Sequence, residues 1–470
     1  MSPRRAGYVL EVSSGDRHIV AYANRLPVTR TARGWRPSPG GLVAALQPAL
    51  DGRGSWVGWD GGAADVPRRI DGIDIDLCPV ALTRREVDDY YHGFANRTLW
   101  PLLHGAIEDP VYDGTWWHAY KEVNERFAAA TVARADTQSF RWVHDYQLML
   151  VPALLRQREE SQGPIGFFLH VPFPPPEVFA RLPWREQILH GLLGADTISF
   201  HTDAYRDNFV RTCLLLRNDV VANGSSLRLD GRVVRTAAHP ISIDTGDIAR
   251  RATSATTARF VRGLESQFEG RRVLLGVDRL DYSKGIIERL QAIELLLERR
   301  PDLRRTLAFV QIAVPSRGEV REYRDLRRSV EEMVGRINGT FTEPGHDVPI
   351  HYLHRGVNRE RLLAYYLLAD CCLVTPLADG MNLVAKEFVI AQHAAGRSGA
   401  LVLSEFAGAS VELKEALPCN PFDVSGLTGM IEVALELDEA DCRSRIELMA
   451  ARIEKDDVFS WLDRELGDRR

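Results

Sequence analysis

The sequence has no CxxC pair, no unbroken apolar run of membrane-spanning length and no glycine-rich fingerprint of the P-loop or GxGxxG kind. Its six cysteines, Cys78, Cys213, Cys371, Cys372, Cys419 and Cys442, also lack metal-ligand spacing, so neither a disulfide framework nor a zinc site is expected. Cys371 and Cys372 lie in an apolar run and read as buried free thiols, which suits a reducing cytoplasm. The nearest approach to a membrane span, residues 362–377, is cut by Asp370, short of the roughly 18 apolar residues a spanning helix needs. After Arg4 and Arg5 the apolar stretch ends at Glu11, too early for a secretory signal. Charge of one sign is missing too: 59 Lys and Arg against 64 Asp and Glu leave a net charge of −5. No general attraction to nucleic acid or anionic membrane follows from that balance, so a phosphate-bearing ligand must be gripped by local cations.

What is present is an ordinary globular composition over 470 residues, 45% hydrophobic and 26% charged, which suits two or three domains or one large two-lobed body. Short aliphatic runs alternate with longer amphipathic patterns, the pattern of parallel sheets with crossover helices. In the second half, strands are predicted over 273–277, 309–314, 350–353, 372–376 and 400–403, with a helix over 285–300. In the first half they are predicted over 19–23, 140–143, 165–169 and 197–200. The prolines at 174–176 before Glu177 mark a helix start, and Thr202 or Asp203 caps another helix. No short-period repeat is visible. A polar, Ala-, Thr- and Arg-rich stretch at 244–260 reads as the join between halves. The expected fold is α/β, two doubly wound Rossmann-like lobes facing a central cleft. Ligands in such folds sit at strand C-terminal ends and helix N-termini.

Four segments place polar or charged residues just after a predicted strand. Arg279 and Lys284 flank a turn that enters a helix, as a diphosphate requires: cations for its charge and free N–H groups at a helix start. Taken alone, they would read as two solvated cations around a capped turn. In the second segment a strand ends at Leu377 and Asp379, Gly380, Met381, Asn382 and Leu383 lead into a helix carrying Glu387. Backbone N–H groups there could meet phosphate oxygens, Glu387 ribose hydroxyls and Asp379 sugar hydroxyls. A helix cap and a surface acid fit the spacing equally well. The third pairs Asp145 with His170, each after an apolar strand. The fourth is Arg25 with the Gly40-Gly41 loop, which alone is a common surface loop. Tyr90, Tyr91, Trp100, Trp116 and Trp117 crowd one region; most read as core, with Tyr91 and Trp100 as candidates for packing on a sugar. Asp74-Ile75-Asp76 has the spacing of a divalent-metal motif. Its alternating context, residues 70–77, reads instead as a half-buried strand, and no metal site is predicted.

The strings ANRLPV (23–28), SPGGL (38–42), WVGWDG (56–61), HDYQL (144–148), FFLHVPFP (167–174), RLDYSKG (279–285), PSRGEV (315–320), LADGMNLVAKEF (377–388) and SEFAGA (404–409) resemble the trehalose-6-phosphate synthases. These are retaining glycosyltransferases of the two-lobed GT-B type. The resemblance runs from about residue 19 to the C-terminus, and nine strings in one order are far more specific than any one.

It implies an acceptor-binding lobe over 1–250, a nucleotide-sugar-binding lobe over 251–457 and a final helix, 458–470, crossing back to the first lobe. It leaves no room for the phosphatase domain fused to some relatives. It implies that Arg25, Trp59, Tyr91, Trp100, Asp145 and Arg317 bind the acceptor. The donor is implied to meet Gly41, His170, Arg279, Lys284, Asp379, Gly380, Met381, Asn382, Leu383 and Glu387. Asp145, His170, Arg279 and Lys284 are the implied catalytic set.

The implied reaction moves glucose from UDP- or GDP-glucose to glucose 6-phosphate with retention, giving α,α-trehalose 6-phosphate, the first step of trehalose biosynthesis. The attack is front-face, with the leaving phosphate oxygen taking the acceptor proton and no covalent nucleophile. No cofactor and no essential metal are expected, and the partners are the two small-molecule substrates. The expected location is the cytoplasm. The donor nucleotide (UDP, GDP or ADP) and a homo-oligomeric state stay open. Two other readings share the scaffold. One is a pseudo-glycosyltransferase of the validoxylamine-phosphate type, against which Arg25, the Gly-Gly loop and Tyr91 argue. The other is a non-catalytic regulatory subunit, against which Arg279, Lys284, Asp379 and Glu387 argue.

Overall fold

The structure, a computed structural model, describes residues 17–31, 34–38, 41–62, 65–70, 72–158 and 163–467. Pro39 and Gly40 of the expected Gly-Gly loop lie outside these residues, as do positions 468–470. In the first half the strands are β1 (Ile19–Arg25), β2 (Val28–Thr31), β3 (Gly34–Pro37), β4 (Gly54–Trp59), β5 (Asp76–Val80), β6 (Phe140–His144), β7 (Ile165–Phe168), β8 (Thr197–Phe200), β9 (Val221–Asn223), β10 (Ser226–Leu229) and β11 (Arg232–Ala238). Among the described residues they form a nine-stranded sheet of order β5-β4-β1-β6-β7-β8-β11-β10-β9, and β2 and β3 make a separate hairpin. Pairing is parallel from β5 through β11, and β10 and β9 close one edge antiparallel.

The second half carries β12 (Arg272–Arg279), β13 (Leu307–Val314), β14 (Ile350–Leu353), β15 (Cys371–Val374), β16 (Ala400–Ser404) and β17 (Leu417–Cys419). Their order is β14-β13-β12-β15-β16-β17, all parallel. Strands such as Leu274-Leu275 and Phe309-Val310 are buried on both faces, because helices cover both sides of a parallel sheet. The helix Ile286–Arg299 supplies Leu290, Ile293 and Leu297 to that cover. In each sheet the first strand is flanked by neighbours reached in opposite directions, β1 by β4 and β6, β12 by β13 and β15. These are the switch points at which an open α/β sheet leaves a crevice for its ligand. The fold is therefore the expected α/β arrangement of two Rossmann-like halves.

One local expectation is corrected. Residues 70–77 do not form one strand: Ile70 and Ile73 share an isolated antiparallel bridge, Gly72 turns the chain at φ +91°, and β5 begins only at Asp76. Asp76 and Asp74 lie 2.8 and 3.2 Å from the Arg69 guanidinium. The stretch 244–260, expected at the join between the halves, is helical. It is built into the helices Thr245–Ala252 and Ala255–Gln267, each capped by a side chain (Asp244, Ser254) and packed on helices Arg359–Leu368 and Leu383–Ala394 of the second half. The 250/251 boundary falls inside the first of these helices.

The final helix, Val458–Gly467, lies on the first sheet. Trp461 stacks on Trp142 of β6 at 5.5 Å and meets Phe168 edge-on, while Glu465 Oε1 is 2.5 Å from His239 Nδ1. The chain thus passes between the halves twice, and the two passages touch: Val458 N donates to Ile243 O at 3.0 Å. All six cysteines are free, and Cys371 and Cys372 are buried. Among the described residues no helix is long and apolar enough to cross a membrane.

Candidate active site

The C-terminal ends of β1, β4, β6 and β7 deliver the first-half candidates. Arg25 ends β1 exposed, with its guanidinium carbon 4.5 Å from the Trp59 ring and 5.5 Å from that of Tyr91. A cavity of about 510 Å³ opens here, lined by Arg25, Trp35, Trp59, His144, Asp145 and Gln147 among others. Tyr91 and Trp100 come from an unusual element. Residues Val87–Leu99 form a π-helix, whose end is marked by Trp100 N donating to Ala95 O. The wider turn buries Tyr90 completely while leaving Tyr91 half-buried on the cleft side.

Asp145, directly after β6, has φ 73°. Arg317 (φ 48°) and Asn382 (φ 76°) share this strained region, so three of the five described non-glycine residues with positive φ are predicted site residues. Strain of this kind persists only where surrounding structure imposes it, and it concentrates at functional sites. Asp145 Oδ1 accepts the His170 backbone N–H at 3.2 Å, and burial pushes its carboxyl up to about 6. His170 Nε2 lies 3.1 Å from His144 Nδ1. Burial, reinforced by His201, pushes the His170 imidazole well below its ordinary value, so it stays neutral at physiological pH.

The second half faces these groups. Arg279 ends β12, exposed, with its guanidinium 5.5 Å from the Trp100 ring. Lys284 closes the 3₁₀ turn Tyr282–Lys284, and its Nζ donates to Asp379 Oδ2 at 2.8 Å. Asn382 Nδ2 donates to the same oxygen at 3.0 Å and caps the helix Leu383–Ala394. Burial alone would raise the Asp379 pKa, but Lys284 outweighs it and holds the carboxyl below its ordinary value. Asn382 Oδ1 takes the Ala385 N–H of that helix at 3.3 Å, and the remaining first-turn amides of a helix have no partner within it.

Two glycines show how close the halves come. A Cβ on Gly380 would sit 2.3 Å from the His170 carbonyl oxygen, and one on Gly41 would sit 2.9 Å from Leu383 Cδ1. Met381 is buried beside them. Glu387 stands apart from the other candidates. Its carboxylate accepts Tyr366 OH at 3.1 Å and pairs with Arg359 at 2.9 Å.

Arg317 is the most enclosed of the predicted site cations, with its side chain 4% exposed. It lies 3.8 Å over the Trp100 ring and donates to Asp281 at 2.8 Å and to Tyr146 OH at 3.1 Å. Tyr91 feels all three guanidinium groups. Burial would raise its phenol, yet Arg317, Arg25 and Arg279 together bring it below its ordinary value. Three guanidinium groups around one phenol, beside a sugar-sized cavity, form a pocket for an anionic group.

The family model of glycosyltransferase family 20 matches residues 16–468. The chain belongs to glycosyltransferase family 20. This enzyme is 45% identical over 471 residues to the trehalose-6-phosphate synthase of Mycobacterium avium, covering 96% of this chain and 94% of that one. Its structure is similar to an E. coli structure bound with UDP-2-fluoro glucose (TM-score 0.86, 35% identity, 96% of this chain and 98% of that one). It is also similar to the UDP-forming alpha,alpha-trehalose-phosphate synthase from Burkholderia xenovorans in complex with glucose-6-phosphate (TM-score 0.87, 34% identity, 96% and 99%). The enzyme is a hexosyltransferase of the GT-B fold.

Sequence reasoning assigned no part to several residues that shape this site: Asp281, Tyr146, His144 and Arg359. Asp281 had a signal, an aspartate two residues before a serine at a strand end, which is a turn cap. His144 and Tyr146 flank Asp145 in sequence, but their partners His170 and Arg317 are distant, as Arg359 is from Glu387.

Proposed function

We propose that this glycosyltransferase transfers glucose from a nucleoside-diphosphate glucose, UDP- or GDP-glucose, to glucose 6-phosphate with retention at the donor carbon. The product is α,α-trehalose 6-phosphate, the first step of trehalose biosynthesis, made in the cytoplasm. The observation that carries this reading is the gathering of Arg25 over Tyr91 and of Arg279 and Arg317 over Trp100, with the Lys284–Asp379 pair and a helix start in the second half. The first group suits a sugar phosphate and the second a diphosphate and its sugar. The relatives and neighbours described above support both halves of the reading.

In this mechanism the acceptor phosphate is held by Arg25, Arg317 and Tyr91, with its ring over Trp59 and Trp100. Asp145 accepts a hydroxyl of the acceptor sugar, and His170 and Asp379 contact the transferred glucose. Glu387 meets the ribose. As the glycosidic C–O bond breaks, negative charge builds on the leaving phosphate, and Arg279, Lys284 and the amides of Met381–Leu383 are already oriented to receive it. Preorganised donors of this kind are each worth about 3–4 kcal/mol, or 10²–10³ in rate. The acceptor hydroxyl attacks the same face and passes its proton to the leaving phosphate oxygen. No metal ion is assigned a part, so turnover is expected to persist in EDTA. The two lobes close on the substrates to exclude water, because hydrolysis competes with transfer.

The test is incubation with glucose 6-phosphate and, in turn, UDP-, GDP- and ADP-glucose, with the product identified by NMR. An α,α-linked disaccharide phosphate is expected with at least one donor. Absence of turnover with all three would overturn the reading.

A further inference from the structure

Asp281 is completely buried between the two half-sites, and its two carboxylate oxygens face different partners. Oδ1 accepts the Ser283 N–H at 3.1 Å and the Ser283 hydroxyl at 3.0 Å. The Asp281 carbonyl accepts the Lys284 N–H at 3.1 Å. These bonds form the turn that presents Lys284 to Asp379. Oδ2 accepts Arg317 Nη1 at 2.8 Å and the Tyr323 hydroxyl at 3.2 Å, and Tyr323 OH also touches Arg317. Arg317 itself stands on a strained backbone at φ 48°, so its direction depends on what holds its side chain.

Burial alone would raise the Asp281 carboxyl, but Arg317, Arg279 and Lys284 hold it at about 2, an anion at every working pH. One carboxylate therefore organises a cation on each side of the reaction, Lys284 toward the diphosphate and Arg317 toward the acceptor phosphate, without facing either ligand itself. We propose that Asp281 is the positioning residue that couples the donor clamp to the acceptor pocket, so that filling one half-site fixes the cation of the other. The inference rests on the assignment of Lys284 and Arg317 given above. It requires nucleoside diphosphate and glucose 6-phosphate to bind with positive coupling, the same factor in either order.

Calorimetry measures this directly, as the Kd of glucose 6-phosphate with and without saturating UDP (or GDP, if that donor turns over). In the unaltered enzyme UDP is expected to tighten glucose 6-phosphate about tenfold, within the usual range of coupling. Asp281→Asn keeps an acceptor for the Ser283 N–H but removes the charge. Both ligands should still bind, the coupling should vanish, and kcat should fall about 10²-fold, the cost of misplacing groups by roughly 1 Å. Tyr323→Phe keeps the buried ring and removes only the hydroxyl on Oδ2; it should reduce the coupling partially and decides the matter if Asp281→Asn does not fold.

Arg317→Ala and Lys284→Ala test the underlying assignment separately. The first should weaken glucose 6-phosphate alone and the second UDP alone. With those controls one-sided, full coupling in Asp281→Asn or in Tyr323→Phe overturns the strut. If either control weakens both ligands equally, the assigned sides are wrong and the strut falls with them.

Discussion

Arg317 sits over Trp100, its guanidinium carbon 3.8 Å from the ring centroid. The indole face helps to orient this cation alongside Asp281 and Tyr323, because a cation–π contact has both a direction and an energy, up to about 2 kcal/mol when desolvated. Trp100→Leu keeps apolar bulk and removes the face. The acceptor KM is expected to rise as much as about thirtyfold, the equivalent of that energy, with the donor KM little changed. Steady-state kinetics on a variant shown to fold decides it, and an unaltered acceptor KM would sink the idea.

Lys284 and Asp379 form a largely buried pair, with side chains 9% and 15% exposed. Lys284→Ala should lower kcat by about 10²–10³ and also destabilise the enzyme, because it strands a buried carboxylate. Adding Asp379→Asn removes the stranded charge. The double variant should recover thermal stability and no turnover. Recovery of both would show that the pair is structural only.

Asp145 provides a pH signature. Its carboxyl is raised by burial from 3.8 to about 6, so the folded state holds the proton more tightly than the unfolded chain. The stabilisation from this group is complete below pH 4 and lost as pH rises through about 6. Asp145→Asn should therefore raise Tm at pH 7 and leave it unchanged at pH 4. In the proposed mechanism the ionised form accepts the sugar hydroxyl, so kcat/KM for the acceptor should fall below about pH 6. An Asp145→Asn enzyme with the same acidic limb would assign that limb elsewhere.

Gly380 has no room for a side chain, since a Cβ would lie 2.3 Å from the His170 carbonyl oxygen. Gly380→Ala must push the second half away from the first beside Asp379 and His170, the two residues assigned above to the transferred sugar. Overpacking of this sort costs about 1–3 kcal/mol. Donor-side kcat/KM should drop by tenfold or more on the same scale, and full activity would mean that this approach is not kept during turnover.

Trp461→Ala should destabilise the fold by about 3–5 kcal/mol, because Trp461 is fully buried against Trp142 and Phe168. Its ring partners, Trp142 and Phe168, are assigned to no substrate, so at a temperature where the variant is folded its KM values should match those of the parent. Chemical denaturation and kinetics separate the two effects.

The strands that matter most were readable because they are continuous aliphatic runs. β8 occupies the expected residues 197–200, and Thr202 caps the following helix through its side chain, which accepts Tyr205 N–H. β4 was invisible for the opposite reason. Its six residues are all buried, yet they include Gly54 and Gly58, which weaken strand propensity, and Gly58 is there because the Arg25 backbone passes 2.6 Å from where its Cβ would be. The π-helix at Val87–Leu99 has no composition signal, and its effect is to turn Tyr90 and Tyr91 to different environments. The motifs placed most of the candidate residues around one cleft. The bond between Asp281 and Arg317, 36 positions apart, and the engagement of Glu387 by Arg359 depend on tertiary packing that no spacing records.

The two chain passages between the halves run side by side, bonded from Val458 to Ile243. Paired tethers at one flank act like the spine of a book: the covers swing, but they neither slide past each other nor twist freely. Any gape must then be smallest at the spine and grow with distance from it, so the half-buried pair of Arg97 and Glu322, which bridges the halves at 2.8 Å, is expected to part when a substrate enters and to form again once it is seated.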